Sequence, residues 1–200
     1  MPILHPPPPW IGSPFSRYVE LWHGCLKSDV KSIRKGIDPT KGNPVSDFGR
    51  GFYTSTVKRQ AREWAWKRWA DSKGKLRGTG GAPLVVRFRI PLEQLAVLDS
   101  LVFVVGNHEQ DRFWSFVHHC RQSTTRIVRA HGHPAHKAPD DWYDVVWGPV
   151  AAFWTQRVLM DSADQVSFHT TRGAAVLNNA MHGPDGESFR IFRVRAGRQR

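Results

Sequence analysis

Asp47-Phe48-Gly49-Arg50-Gly51-Phe52-Tyr53-Thr54-Ser55-Thr56 runs directly into a tryptophan-rich segment of helical pattern, and the rest of the chain is organised around that junction. Two glycines within three positions free the backbone for positive φ or for close approach to a ligand, and the aromatic pair after them points to opposite sides of a short extended segment. One ring can face a core and the other a pocket. Asp47-Phe48-Gly49 is also the magnesium-binding tripeptide of protein kinases, which needs a nucleotide-binding lobe, a strand lysine and a catalytic loop ahead of it. Only 46 residues precede Asp47, so a kinase is not expected. A plain glycine turn before an amphipathic helix stays open on this stretch alone, and a second motif has to decide.

Upstream, Arg17 to Trp22 is β-favourable and enters His23-Gly24-Cys25, read as a turn. Ser28 to Lys35 patterns as a helix capped by Ser28 or Asp29, with Leu26, Val30 and Ile33 as its apolar stripe and Gly36 as its stop. Residues 37–46 form a Gly-, Pro- and Asn-rich loop. Downstream, Thr56 to Asp71 is strongly helical, with Val57, Ala61, Trp64, Ala65 and, at the margin, Trp69 on one face and a dense basic face opposite. A basic loop (72–83) leads to a strand at Leu84–Ile90, a helical turn at Pro91–Leu95 and one or two strands within 96–105. Asn107 caps a helix reaching Arg121, with Phe113, Phe116, Val117 and Cys120 inward. Tyr143 to Ala151 reads as a buried strand broken at Gly148-Pro149. A short strand from Gln165 to Thr170, a helix over 171–180 and a last strand from Ser188 to Val194 complete the chain. Short strands with interspersed helices and no regular βαβ alternation predict an α+β fold.

Two hundred residues, 40% of them hydrophobic, predict one domain with a real core over 17–195. A proline-rich arm (1–16), with polyproline II favoured at Pro6–Pro9, precedes it and a basic tail (196–200) follows. Lys and Arg number 29 against 17 Asp and Glu, a formal charge of +12, which attracts polyanions: nucleic acid, an acidic protein or a dinucleotide. Cys25 and Cys120 are too few for a disulfide framework; one bridge between them stays open, and free thiols in a reducing cytoplasm are expected. No apolar run is long enough for a signal peptide or a membrane helix. The loop carrying His131, His133 and His136 lacks the spacing of a zinc site, and no metal is expected. Cys25 has no activating partner in the sequence and reads as a small buried residue.

Three pieces, Leu21-Trp22-His23-Gly24, Phe48-Gly49-Arg50-Gly51-Phe52-Tyr53 and Gln165-Val166-Ser167-Phe168, together resemble the ADP-ribosyltransferase superfamily, on the side of the poly(ADP-ribose) polymerases and diphtheria-like toxins. The pattern looks closer still to a small bacterial family of domains of unknown function. The resemblance implies a split β-sheet core with flanking helices and NAD⁺ as substrate. It implies that the Gly24 backbone pairs with the nicotinamide carboxamide, that His23 reaches a ribose hydroxyl and that Tyr53 stacks on the nicotinamide, an aromatic–cation contact of ~0.5–2 kcal/mol. Phe48, Gly49, Arg50 and Gly51 would complete that wall. The polar residue that stabilises developing oxocarbenium character, usually a glutamate, falls to Gln165, which can hydrogen-bond but cannot act as a base. Asp164 is adjacent, and neighbouring strand residues point to opposite faces, so the two cannot both serve. The implied activity is ADP-ribose transfer to a macromolecule, protein or nucleic acid, by a toxin or effector held in check by an acidic antitoxin or immunity protein. Plain NAD⁺ hydrolysis in the same pocket and an inactive binding module for ADP-ribose or nucleic acid are the alternatives.

Overall fold

The computed structural model describes residues 17–75, 81–104, 110–122, 142–183 and 186–194. The proline-rich arm, Asn107, the His131/His133/His136 loop and the basic tail lie outside them. The elements are β1 (Tyr18–Leu26), α1 (Val30–Lys35), β2 (Phe52–Thr54), α2 (Lys58–Lys75), β3 (Pro83–Pro91), α3 (Leu92–Ala96), β4 (Ser100–Val102), α4 (Gln110–Gln122), β5 (Val145–Phe153), β6 (Val158–Phe168), α5 (Thr171–Met181) and β7 (Phe189–Arg193). This is a mixed α and β architecture with two sheets, ordered β1-β3-β7 and β2-β6-β5-β4, and five α-helices among the described residues. All strand pairings are antiparallel except β4 with β5.

Strand alternation sorts the apolar side chains into three clusters. Leu21 and Cys25 of β1 and Val86 and Phe88 of β3 share one cluster with Val145, Val166 and Phe168 of the second sheet and with Ala174 and Leu177 of α5. This is the core between the sheets, and each fully buried Phe or Leu in it contributes about 1.5–3 kcal/mol. The opposite face of the first sheet, through Trp22 and Val85, packs on Ala61 and Ala65 of α2. The opposite face of the second sheet, through Val146, packs on Phe113, Trp114, Phe116, Val117 and Cys120 of α4, with Phe48 and Phe103 filling the gap.

Several elements differ from the sequence reading. His23-Gly24-Cys25 is not a turn: β1 continues to Leu26, paired residue by residue with β3 down to Leu26↔Pro83. The expected cap of the following helix is shifted, with Asp29 Oδ2 accepting from the Leu26 N–H at 3.0 Å ahead of a short 3₁₀ turn, Lys27–Asp29. Trp64 does not face inward and is 55% exposed. The two alanines of α2 let the helix backbone come so close to β1 that an indole has no room between them. A Cβ on Gly24 would lie 2.2 Å from the Ala61 carbonyl oxygen. β5 is not broken at Gly148-Pro149; it passes through both, paired to Gln165 and Asp164, with a bulge just beyond. β4 pairs β5 only up to Trp147, so Pro149 sits where no ladder bond is needed on that side. β6 begins at Val158, seven residues before the expected start at Gln165. Its first half is an exposed hairpin arm, closed by a turn at Trp154–Gln156 and Arg157 at φ 55°, and it lacks the apolar alternation of a half-buried strand.

Candidate functional site

The two sheets touch at one backbone bridge and then part. Trp22 and Ser55 exchange N–H···O bonds of 2.8 and 2.9 Å. Continued in antiparallel register, the next pair would be Gly24 with Tyr53. Instead His23 Nδ1 lies 2.6 Å from the Tyr53 carbonyl oxygen, so the imidazole occupies the acceptor that the ladder would have used. In such a ladder the N–H and C=O of residues two apart point to the same side. The Gly24 N–H and C=O therefore face the gap between β1 and β2, where no described strand pairs with them, and Gly24 itself is buried.

A carbonyl can only accept, so Nδ1 carries the hydrogen and Nε2 of the neutral ring is left as an acceptor. Burial pushes the His23 pKa from 6.5 down to about 4, against the pull of the Tyr53 carbonyl. The ring is neutral at pH 7. Phe52 stacks on it with centroids 4.3 Å apart. The cleft edge thus presents a backbone donor, a backbone acceptor and an imidazole acceptor within two consecutive residues.

The start of α2, which backs Gly24, is held by a residue from the other sheet. Asp164 accepts from Ser55 Oγ (2.6 Å), the Thr56 N–H (2.9 Å), Thr56 Oγ1 (2.5 Å) and Trp147 Nε1 (3.0 Å). A carboxylate at a helix N-terminus is favoured by the helix dipole and by the unpaired N–H groups there.

Tyr53 turns its ring to the opposite face of β2 from Phe52, against Phe48. Its hydroxyl donates to the Gly49 carbonyl at 2.7 Å and accepts from the Phe48 N–H at 3.0 Å, and burial raises its pKa well above the ordinary value. The glycine segment is thereby curled over the tyrosine, with Gly49 at φ 79°. Gly51 is required by close approach: a Cβ there would lie 2.8 Å from the Phe168 carbonyl oxygen. Arg50 is exposed and donates to the Thr40 carbonyl at 2.8 Å. His23 and Tyr53 thus meet through a backbone carbonyl, with their rings on opposite faces of β2.

Gln165 is buried, and its Nε2 donates to Asp47 Oδ2 at 2.7 Å and to the Pro149 carbonyl at 2.9 Å. Asp47, 4% exposed, also pairs with Arg121 (Nε at 2.7 Å) and accepts from the Ala151 N–H at 3.0 Å. Both amide hydrogens of Gln165 are therefore committed to this strut. As expected for strand neighbours, Asp164 goes to the α2 start and Gln165 to Asp47.

Sequence reasoning missed His169. Its Nδ1 lies 2.7 Å from the Arg50 carbonyl oxygen and its Nε2 2.8 Å from Ser167 Oγ. Burial lowers its pKa to about 4, so the neutral ring donates from Nδ1 and accepts the serine proton at Nε2, clamping the glycine segment to β6. The signal was a Ser-x-His alternation at a strand end. Ser167 is fully buried and out of reach of a substrate. Cys25 and Cys120 are buried and not joined in a disulfide; burial pushes the Cys25 thiol up to about 12 and that of Cys120 higher, so neither is a nucleophile at neutral pH. Among the described residues no group of three or more His, Cys, Asp or Glu is placed to hold a metal ion, and no helix is long and apolar enough to cross a membrane.

No curated protein and no solved structure matches this chain. One family model does, over residues 19–178, a span that takes in β1 through most of α5 and with it His23, Gly24, Tyr53 and Gln165. The chain belongs to that family, described as "Protein of unknown function (DUF3990)".

Proposed function

We propose that this protein has an ADP-ribosyltransferase-like fold and transfers ADP-ribose from NAD⁺ to a macromolecular acceptor, as a bacterial toxin or effector restrained by an acidic partner. The observation that carries this reading is the open edge of β1 at Gly24. A primary carboxamide needs one acceptor for its NH₂ and one donor for its C=O, and the Gly24 C=O and N–H supply them side by side. The neutral His23 adjoining it offers Nε2 to a ribose hydroxyl. A dinucleotide also suits a chain with a formal charge of +12.

The commitment of Gln165 to Asp47 and Pro149 supports a second reading, a binding module without turnover. Incubation with NAD⁺ labelled in the ADP-ribose half, with protein, DNA and RNA pools kept separate, divides the outcomes. Label in one pool with nicotinamide release supports transfer; release without label indicates NAD⁺ hydrolysis. Neither signal, in wild type and Tyr53→Ala alike, ends the enzymatic reading.

A further inference from the structure

α2 carries exposed tryptophans on two flanks: Trp64 and Trp66, two residues and about 200° apart around the helix, point to opposite sides, and Trp64 shares its side with Arg68 one turn on. Trp64 is 55% and Trp66 37% exposed, Trp66 lies against Trp69 with centroids 4.7 Å apart, and Lys67 Nζ sits 5.9 Å above the Trp64 ring. The core-facing stripe of this helix is already covered by β1 and β3 through Ala61 and Ala65, so these indoles are not left over from packing. Tryptophan is enriched at interfaces, where a partner covers its large ring.

Cations adjoin them on both sides. Arg62 follows the helix surface one turn before Trp66, and Lys67 partners Trp64. Arg68 pairs with Asp29 at 2.9 Å, which fastens this turn of α2 beside the start of α1. There an open groove of about 530 Å³ is lined by Lys27, Lys31, Arg34 and Lys35 with only Val30 and Leu84 between them. None of those four cations is ion-paired among the described residues, and no carboxylate lines the groove.

We propose that the Trp64 flank of α2 and the α1 groove form a binding surface for single-stranded nucleic acid, with a base stacked on Trp64 and the phosphate backbone drawn along the Lys/Arg groove. Aromatic platforms interleaved with cations are the chemistry that fits an unpaired, flat-faced, polyanionic strand; a duplex keeps its base faces stacked on each other. A lipid surface would need one continuous free apolar face, whereas the apolar stripe of α2 is buried and Glu63 and Asp71 stand among the exposed residues. An indole beside cations also suits a protein interface, and the oligonucleotide titration is the measurement that separates the two. This surface adjoins the His23–Gly24 edge, since the charges of Arg68 and Asp29 also act on His23, and a titration without NAD⁺ tests it apart from NAD⁺ chemistry.

The test is fluorescence anisotropy of end-labelled 20-nucleotide oligo(dT) and oligo(U) titrated with the whole chain, without NAD⁺. Binding is expected with at least one probe, weakening about 50-fold between 50 and 200 mM salt if four phosphates are engaged. Trp64→Ala, at an exposed position, should weaken it about tenfold with unchanged melting temperature, whereas Trp66→Ala, on the opposite flank, should leave binding unchanged. Lys31→Glu with Arg34→Glu should weaken it strongly and flatten the salt dependence of the binding that remains. Failure to bind either probe at 50 mM salt overturns the proposal. So does binding that ignores Trp64→Ala, that heparin competes as well as unlabelled oligo(dT), or that is found only with phosphatidylserine vesicles.

Discussion

Gln165 Nε2 sits 2.7 Å from Asp47 Oδ2, joining residues 118 apart in sequence in a site where both side chains are buried. Gln165→Glu would set two carboxylates in that contact, and like charges at this distance cannot both ionise cheaply. The variant is expected to lose about 2–4 kcal/mol at pH 7. The introduced acid would hold its proton above the usual carboxylate range, so the deficit should shrink as pH falls toward 4. Urea denaturation at pH 7 and pH 4.5 measures both, and an unimpaired variant with increased NAD⁺ turnover would show that the strut yields to catalysis.

Asp47→Ala strands Arg121 beside the core and leaves the Ala151 N–H and the Gln165 amide without their acceptor. Removing one partner of a buried pair typically costs 3–5 kcal/mol. Scanning calorimetry should record a fall in melting temperature of roughly 10 °C, while Glu63→Ala, which removes an exposed i,i+4 partner of Arg59 on α2, should change it little.

Gly24→Ala drives a methyl into the Ala61 carbonyl and toward the Ala65 N–H at 2.9 Å, both backbone atoms of α2. Overpacking of this kind costs about 1–3 kcal/mol. The expected signature is a lower urea midpoint with an unchanged slope. Activity loss in this variant is therefore interpretable only beside its stability.

Stability should decline in mild acid. An unfolded histidine binds a proton below its ordinary value of 6.5, but folded His23 and His169 do so only near 4. Their contribution is complete above pH 6.5 and is lost as pH falls through that window, at up to about 1.4 kcal/mol per pH unit for each histidine. His23→Asn keeps a donor for the Tyr53 carbonyl and removes one titrating group. Its stability should fall less steeply between pH 6.5 and pH 4; an unchanged slope would mean that His23 is already charged in the fold.

The glycine segment, the α2 pattern, the apolar face of α4 and the strands at β3 and β7 were legible because each depends on local period or on residue types with few uses. What was not legible came from pairing. β6 reaches back to Val158 on hydrogen bonds to β5 with no apolar alternation to announce it, and Trp64 sits in water because two alanines in α2 and a glycine in β1 let backbones approach too closely for an indole. The sites of His169 and Asp164 depend on contacts over 100 residues away, such as His169 with Arg50 and Asp164 with Thr56, that no local pattern carries.

By itself the sequence determined that a glycine-aromatic segment leads into α2, that His23-Gly24 follows a β-favourable run, and that the chain is strongly basic; backbone freedom, alternation and charge are properties of consecutive residues. Only the tertiary structure decided what those residues face. It set the His23 imidazole on the Tyr53 carbonyl, so that the sheets part and the Gly24 amide is left open, and it tied Gln165 to Asp47. Both outcomes are choices of hydrogen-bond partner, and a buried polar group takes its partner from whatever the fold brings within reach.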